Sequence, residues 1–258
     1  MRKILLGALG LAAVSMAAPA SAADLAARPY TKAPPAPIAA IYDWTGFYVG
    51  FNGGGGSSHN CATILAVGAV PLTPFAADGC RNATGGTVGG QIGYRWQMSN
   101  WVFGLEGQGN WADFTGDNIG IFTGNRNRTR IDAFGLFTGQ IGYTWNNVLL
   151  YVKGGGAVVG DSFNVFAGPA SIVPPPGTLL ASANDTRWGG TVGAGLEFGF
   201  APNWSVGVEY DHIFTGNRNY NFLTPGGLAF GSARITQDID MGLVRVNYRW
   251  GGPVIAKY

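Results

Sequence analysis

The sequence has little charge, few cysteines and histidines, and no long apolar run after its N-terminal segment. Charged residues make up 12% of the 258 residues, about half of the roughly 25% that is usual in a soluble domain. From Trp44 onward there is no stretch of 18 apolar residues, which excludes membrane-spanning helices from that part of the chain. The only histidines, His59 and His212, are far apart in the sequence and indicate a metal or haem site only weakly.

Glycine and aromatic residues are abundant instead. The chain contains 43 glycines, 8 tryptophans, 10 tyrosines and 15 phenylalanines. So many aromatic residues argue against a disordered chain, and the absence of a three-residue glycine period excludes collagen. The length is within the range of one all-β domain or barrel.

The N-terminus predicts export. Arg2 and Lys3 precede an apolar run at 4–18, and Ala20 and Ala22 follow in the spacing of a cleavage site. This pattern predicts a secretory signal peptide at 1–22, because a membrane anchor needs about 20 apolar residues. Segment 23–42 is rich in proline and alanine and predicts an extended periplasmic linker.

Export bears on charge and on the cysteines. Cleavage would remove two of the 16 basic residues and none of the 14 acidic ones, so the mature chain would carry no net charge. Without a basic stripe we expect no nucleic-acid partner. Cys61 and Cys80 both follow the signal, and in an oxidising compartment we expect them to form a disulfide.

A near-exact repeat reveals the organisation of the rest. GQIGYRW at 90–96 and GQIGYTW at 139–145 share six of seven letters at a spacing of 49. Around both copies, apolar and polar or small residues alternate with a period of two, which indicates β-strands. The same alternation at 191–200 and 244–250 shows that the unit is built four times.

Each unit also contains a second strand, so the chain predicts eight. The partner strands are at 44–55, 101–112, 148–159 and 204–215. The turns after Trp96, Trp145 and Phe200 are short, and the other joints are long. The long joints are at about 57–84, 113–129, 160–185 and 216–235. We therefore predict an all-β, eight-stranded antiparallel up-and-down transmembrane β-barrel at 43–250, with short periplasmic turns and four long extracellular loops.

Aromatic residues and charges fall on opposite faces of these strands. Tryptophans at the strand ends beside the short turns predict a periplasmic aromatic girdle. The girdle residues are Trp44, Trp96, Trp101, Trp145, Trp204 and Trp250. Charged residues of the other face are expected inside the barrel. They are Arg95, Glu106, Asp132, Lys153, Glu197, Glu209 and Arg245. A soluble barrel such as a lipocalin would have to expose the aromatic face to water and bury these charges, so we favour the membrane barrel.

The start of the first strand, YDWTGFYVG at 42–50, follows a proline- and alanine-rich linker. Together with the GQIGYxW hairpins and the NYRW segment at 247–250, it resembles the small alphaproteobacterial outer-membrane β-barrel surface proteins, which are opacity-like members of the porin superfamily. The resemblance covers about 42–258 and implies roles in envelope integrity and surface interaction. Such barrels often end at a terminal aromatic residue that the barrel assembly machinery recognises. Here an extension at 251–258 follows Trp250, which leaves either Trp250 or Tyr258 as the assembly signal.

Three functions remain open from the sequence. Eight strands leave an interior just wide enough for side chains, so paired interior charges predict a closed or poorly conducting structural barrel. A narrow porin for small solutes is the first alternative. A loop-based receptor, for instance for haem, is the second.

Other candidate sites are weaker. The segment IFTGNRN occurs at 121–127 and at 213–219, and it suggests either an Arg126/Arg218 patch that binds lipopolysaccharide phosphates or merely two related hairpins. No Ser–His–acid constellation is visible, so we expect no enzyme, and we predict no cofactor or metal. The expected partners are outer-membrane lipid, lipopolysaccharide and the barrel assembly machinery. Contacts with peptidoglycan or a host surface stay open.

Overall fold

The computed structural model describes residues 42–250. The predicted signal peptide, nearly all of the linker and the extension at 251–258 lie outside the described residues. Within 42–250, no helix is long and apolar enough to cross a membrane.

Eight antiparallel strands form a closed barrel in which every strand pairs with its neighbours along the chain. The strands are β1 (Gly46–Val67), β2 (Val70–Met98), β3 (Trp101–Ile119), β4 (Arg126–Trp145), β5 (Val148–Phe166), β6 (Leu179–Ala201), β7 (Trp204–Leu223) and β8 (Ala229–Trp250). Pairing of β1 with β8, from Phe47 opposite Trp250 upward, closes the barrel. Closure leaves no sheet edge exposed to lipid.

The predicted eight-stranded barrel is confirmed, but its long joints were predicted wrongly as loops. Most of 57–84 belongs to β1 and β2, which a turn at 68–69 connects. The other extracellular connections are 120–125, 167–178 and 224–228, and the periplasmic turns are 99–100, 146–147 and 202–203. A membrane crossing needs about 9–11 residues of a tilted strand, so the 19 to 29 residues of each strand extend the wall well beyond the bilayer.

Glycines of the repeat make room for two interior tyrosines. An ideal Cβ on Gly93 would lie 2.5 Å from the Tyr48 hydroxyl, and one on Gly195 would lie 2.4 Å from the Tyr151 hydroxyl. Any larger residue would displace these rings. The glycine in GQIGYRW therefore provides space at one point of the interior.

The interior is layered along the barrel axis. Toward the periplasmic end it is filled by buried charged and amide side chains. Above them lies a buried apolar layer, here called the apolar layer. Its largest members are Phe114, Ile131, Phe134, Leu136, Ile213, Ile239 and Met241. A second apolar cluster, which includes Phe163, Phe222 and Ile235, lies nearer the extracellular end.

Candidate functional site

An ion-pair network crosses the membrane-embedded interior. The Arg245 guanidinium contacts the carboxylates of both Glu106 and Glu209. The Lys153 ammonium lies 2.8 Å from Glu209, 3.1 Å from Asp211 and 3.7 Å from Glu106. All five side chains are buried, and opposite charges at these distances compensate one another's desolvation.

Polar contacts continue this network to the remaining strands. The Tyr48 hydroxyl donates to Glu106 at 2.6 Å, and Tyr151 donates to Glu209 at 2.5 Å. Arg95 pairs with Glu197 at 2.9 Å, and its guanidinium carbon lies 4.5 Å from the centre of the Tyr48 ring, a cation–π contact.

One continuous layer results, here called the polar layer, to which every strand contributes. Gln140 joins it by accepting from Arg95 at 3.3 Å and donating to Tyr48 at 3.4 Å. In strand order, its members are Tyr48, Arg95, Glu106, Gln140, Tyr151 with Lys153, Glu197, Glu209 with Asp211, and Arg245.

Six of the seven predicted interior charges are buried inside the barrel, and Asp132 is the exception. Asp132 points outward and pairs with Arg130 at 2.7 Å, both side chains being about half exposed. The pairing of β4 with β5 shifts between Ile131 and Ala133, and such a bulge leaves an extra residue that reverses the alternation. Extrapolating the period from the lower strand was therefore wrong at this position.

The sequence reasoning missed Asp211, Tyr48 and Tyr151 as interior polar groups. Asp211 lies two residues after Glu209 on β7, and Tyr48 alternates on β1 with outward Phe47 and Val49. The period-two alternation along each strand would have placed both side chains inside the barrel. Their partners come from distant strands, however, which no local pattern indicates.

The periplasmic end is filled by the residues before β1. Trp44 is only 1% exposed, and its indole N–H donates to the Thr144 hydroxyl at 2.9 Å. Its placement in the outward girdle was wrong, because the chain turns into the barrel before β1 begins. Tyr42 packs beside it with ring centroids 4.5 Å apart, and Arg249 lies over the Tyr42 ring. These two rings, here called the aromatic floor, lie at the periplasmic end below the polar layer.

The other five predicted girdle tryptophans point outward and are exposed. Several pack edge-to-face against rim tyrosines, as Trp101 does against Tyr143. A second aromatic level, which the sequence analysis missed, lies higher on the outer wall and includes Trp111 and Trp188, 75% and 70% exposed. Ten residues separate Trp101 from Trp111. At about 3.4 Å a residue and a tilt of about 40°, the two levels are about 26 Å apart in height, close to the thickness of a lipid-facing belt.

Polarity reverses above this belt. The outward positions of β4 become Arg126, Arg128 and Arg130, while buried apolar residues such as Phe163 and Ile235 lie inside the barrel on other strands. Asp117 of β3 lies 2.9 Å from both Arg126 and Arg128, and the hydrogen bond from Arg128 holds the pKa of Asp117 below its ordinary value. The upper wall therefore resembles a water-soluble barrel, which places it outside the bilayer.

The two IFTGNRN segments do not form one patch. Arg126 is on β4 and Arg218 is on β7, and β5 and β6 lie between them. Arg126 pairs with Asp117, whereas Arg218 pairs with Asp185 at 2.7 Å. The proposed joint Arg126/Arg218 phosphate site is therefore wrong.

Cys61 and Cys80 form a disulfide between directly paired positions of β1 and β2. His59 Nε2 lies 3.4 Å from Cys61 Sγ, and its Nδ1 lies 2.7 Å from the Asn82 side-chain oxygen. The sulfurs bond to each other and so do not offer thiolate ligands to a metal.

The second histidine meets a carboxylate on the outer wall. His212 Nδ1 lies 2.6 Å from Asp240, and Ser57 of β1 is paired opposite Asp240 on its other side. Serine nucleophiles need the histidine between the serine and the carboxylate. Here the carboxylate occupies the middle position, so this trio does not have the order of a catalytic triad.

Comparison with known proteins agrees with this architecture. Residues 6–231 match the family model described as "Outer membrane protein beta-barrel domain". The "31 kDa outer-membrane immunogenic protein" of Brucella melitensis is 30% identical over 226 residues, which cover 80% of this chain and 86% of the relative. The "22 kDa outer membrane protein" of Rhizobium leguminosarum is 28% identical over 188 residues. These residues cover 72% of this chain and 71% of the relative.

Among solved structures, the outer membrane protein OprG of Pseudomonas aeruginosa aligns with 82% of this chain and 99% of its own. The TM-score is 0.49 at 10% identity. The similarity in sequence, rather than this distant similarity in structure, indicates the family.

Proposed function

Since this chain belongs to the outer membrane protein beta-barrel domain family and is an outer-membrane protein, we propose that it is a closed, non-enzymatic barrel that contributes to envelope structure and surface contacts. The observation that supports closure most directly is the polar layer. All eight strands place buried side chains in it, and these side chains bond to one another across the barrel. A conducting path would need water among these groups.

Two further levels support the same proposal. The aromatic floor of Tyr42 and Trp44 lies below the polar layer, and the apolar layer lies above it. Phe114, Leu136 and Ile239 in the apolar layer are 0% exposed. An ion that passed the charged groups would still meet an apolar constriction, which opposes wetting.

Conductance tests this proposal against the narrow-porin alternative. The protein, refolded into planar bilayers and verified as folded by its gel shift on boiling, is expected to give no steady single-channel openings. A general-diffusion porin in the same lipid serves as the positive control. Steady openings of uniform size would refute closure and favour the porin.

The outer wall supports a proposal about lipid partners. Arg126, Arg128 and Arg130 alternate on the outward face of β4 above the belt, where lipid head groups are expected. Asp117 and Asp132 pair with them but leave all three guanidinium groups about half exposed. We expect these arginines to contact lipopolysaccharide phosphates through charge-assisted hydrogen bonds. Replacing all three by glutamine should reduce the lipopolysaccharide that copurifies, whereas replacing Arg234 on β8 serves as the matched control. Equal amounts with both variants would contradict this contact.

A further inference from the structure

The extracellular mouth of the barrel contains a cavity of about 270 Å³, here called the mouth pocket. Its walls are mainly apolar, and its size is near the lower end of small-ligand sites. The main apolar residues of the wall are Ala62, Ile64, Val165, Phe222, Phe230 and Ile235. These residues belong to the second apolar cluster or pack against it, and the apolar layer lies beneath them, so the pocket is blind.

Two charged side chains, Asp78 and Arg81, line the pocket, and their hydrogen bonding differs. Asp78 is 2% exposed and accepts from the backbone N–H groups of Phe122 and Thr123, both at 3.1 Å. It also accepts from Asn127 Nδ2 at 2.9 Å. These donors satisfy its carboxylate and fix connection 120–125 at the rim of the pocket.

Arg81 has no carboxylate in direct contact among residues 42–250, and the charges of Asp78 and Asp117 act on it from farther away. Its side chain is 8% exposed, and its Nε donates to the Thr129 hydroxyl at 2.6 Å. Its Nη1 reaches only the Asn118 oxygen at 3.5 Å. Among residues 42–250, no carboxylate oxygen lies within 4.0 Å of its guanidinium.

Other buried arginines of the interior are compensated differently. Arg95 and Arg245 pair directly with carboxylates, and Arg187 lies 3.6 Å from Asp161. Arg249 has no carboxylate partner among residues 42–250 either, but it donates to the backbone carbonyls of Thr45 and Pro202. A buried guanidinium without a carboxylate is costly. Arg81 therefore presents to an apolar pocket a cation that an incoming anion would neutralise.

We propose that the mouth pocket binds small amphiphilic carboxylates, of the class of medium-chain fatty acids. The carboxylate pairs with Arg81, and the alkyl chain packs against the apolar wall. Both features are needed: the chain supplies burial of apolar surface, and the head group supplies a charge-assisted pair. This site does not depend on whether the barrel conducts, since the pocket opens only to the extracellular side.

Methyl NMR of the protein in lipid nanodiscs, with isotope-labelled isoleucines, tests the proposal. Decanoate is expected to shift the Ile64 and Ile235 methyl signals saturably, because both residues line the pocket. Ile141 is 43% exposed on the lipid-facing wall and reports ligand dissolved in the bilayer, which does not saturate. Decanol, which has the chain without the charge, should need a concentration on the order of tenfold higher at the pocket signals.

The variant Arg81→Met should weaken decanoate binding by on the order of tenfold and leave decanol unchanged. Arg234→Met, on the outer surface of β8, is the matched control and should bind as the native protein does. The proposal is overturned if the pocket methyls do not respond in the native protein, or if Arg81→Met binds decanoate undiminished. Should that variant fail to fold, the comparison of decanoate with decanol on the native protein still tests the proposal. Equal concentration dependence of the two ligands at the pocket methyls would then overturn it.

Discussion

Arg245→Met gives the sharpest test of the polar layer. Arg245 is 1% exposed and is the shared partner of Glu106 and Glu209, which are equally buried. Its removal leaves Lys153 as the one cation in contact with the three buried carboxylates of Glu106, Glu209 and Asp211 among residues 42–250. Removing one partner from a buried pair costs about 3–5 kcal/mol, which lowers the folding equilibrium constant by about 10²- to 10⁴-fold. In guanidinium, this corresponds to an unfolding midpoint lower by about 1 M.

The measurement is equilibrium unfolding of the refolded barrel in lipid vesicles, followed by tryptophan fluorescence and by gel shift. Arg234→Met is the control on the same strand, because Arg234 is outward and bonds only to Asn219 at 3.1 Å. We expect it to change stability by less than about 0.5 kcal/mol.

A second variant separates lost pairing from lost packing. Glu106→Gln combined with Arg245→Met removes a carboxylate together with the guanidinium, so that the net charge of the polar layer stays as it is in the native protein. This double variant should be more stable than Arg245→Met alone, since replacing a whole buried pair is often nearly neutral. If Arg245→Met unfolds within about 1 kcal/mol of the native protein, the polar layer does not stabilise the barrel as argued.

Three further predictions concern other parts of the wall. Gly93→Ala should destabilise the barrel by about 1–3 kcal/mol, because the new Cβ would lie 2.5 Å from the Tyr48 hydroxyl. Gly107→Ala is the control, because its Cβ would meet nothing within 4 Å. Equal unfolding midpoints for the two variants would contradict the argument. Mass spectrometry of unreduced peptides should find Cys61 joined to Cys80, and replacing both by serine should cost up to about 3 kcal/mol by chain entropy; free thiols in protein taken from the envelope would be the contrary result. A protein whose only tryptophan is Trp44 should resist quenching by brominated lipid, unlike a protein that keeps one girdle tryptophan; strong quenching would place Trp44 outside the barrel.

Local pattern predicted much of the lower barrel because lipid imposes a strict alternation there. Six interior charges and five girdle tryptophans were placed on the correct faces from period and strand ends alone. The pattern failed at Asp132, where a bulge adds a residue. It also failed at Trp44, which precedes the first strand pair and turns inward.

The length of the strands could not be predicted in the same way. Above the belt, water replaces lipid outside the wall, and the outward positions become polar and glycine-rich. Segments such as 57–84 then lose the apolar outward face that marks a membrane strand, so they were interpreted as loops although they continue β1 and β2. On β8, Asp238 and Asp240 share the outward face with Val244, because the outward positions change from apolar to polar above the belt.

The sequence by itself determined the strand number, the antiparallel order and which face of each lower strand meets lipid, because these follow from a period of two and from turn positions. Only the tertiary structure decided which charges meet. Arg245, Glu106 and Glu209 come from three different strands. In the mouth pocket, the Arg81 guanidinium bonds to Thr129 and Asn118 and not to a carboxylate of residues 42–250. Closing the barrel sets the stagger between strands, and that stagger determines which inward side chains share a level. The stagger depends on all eight strands together, so no local pattern in the sequence predicts it.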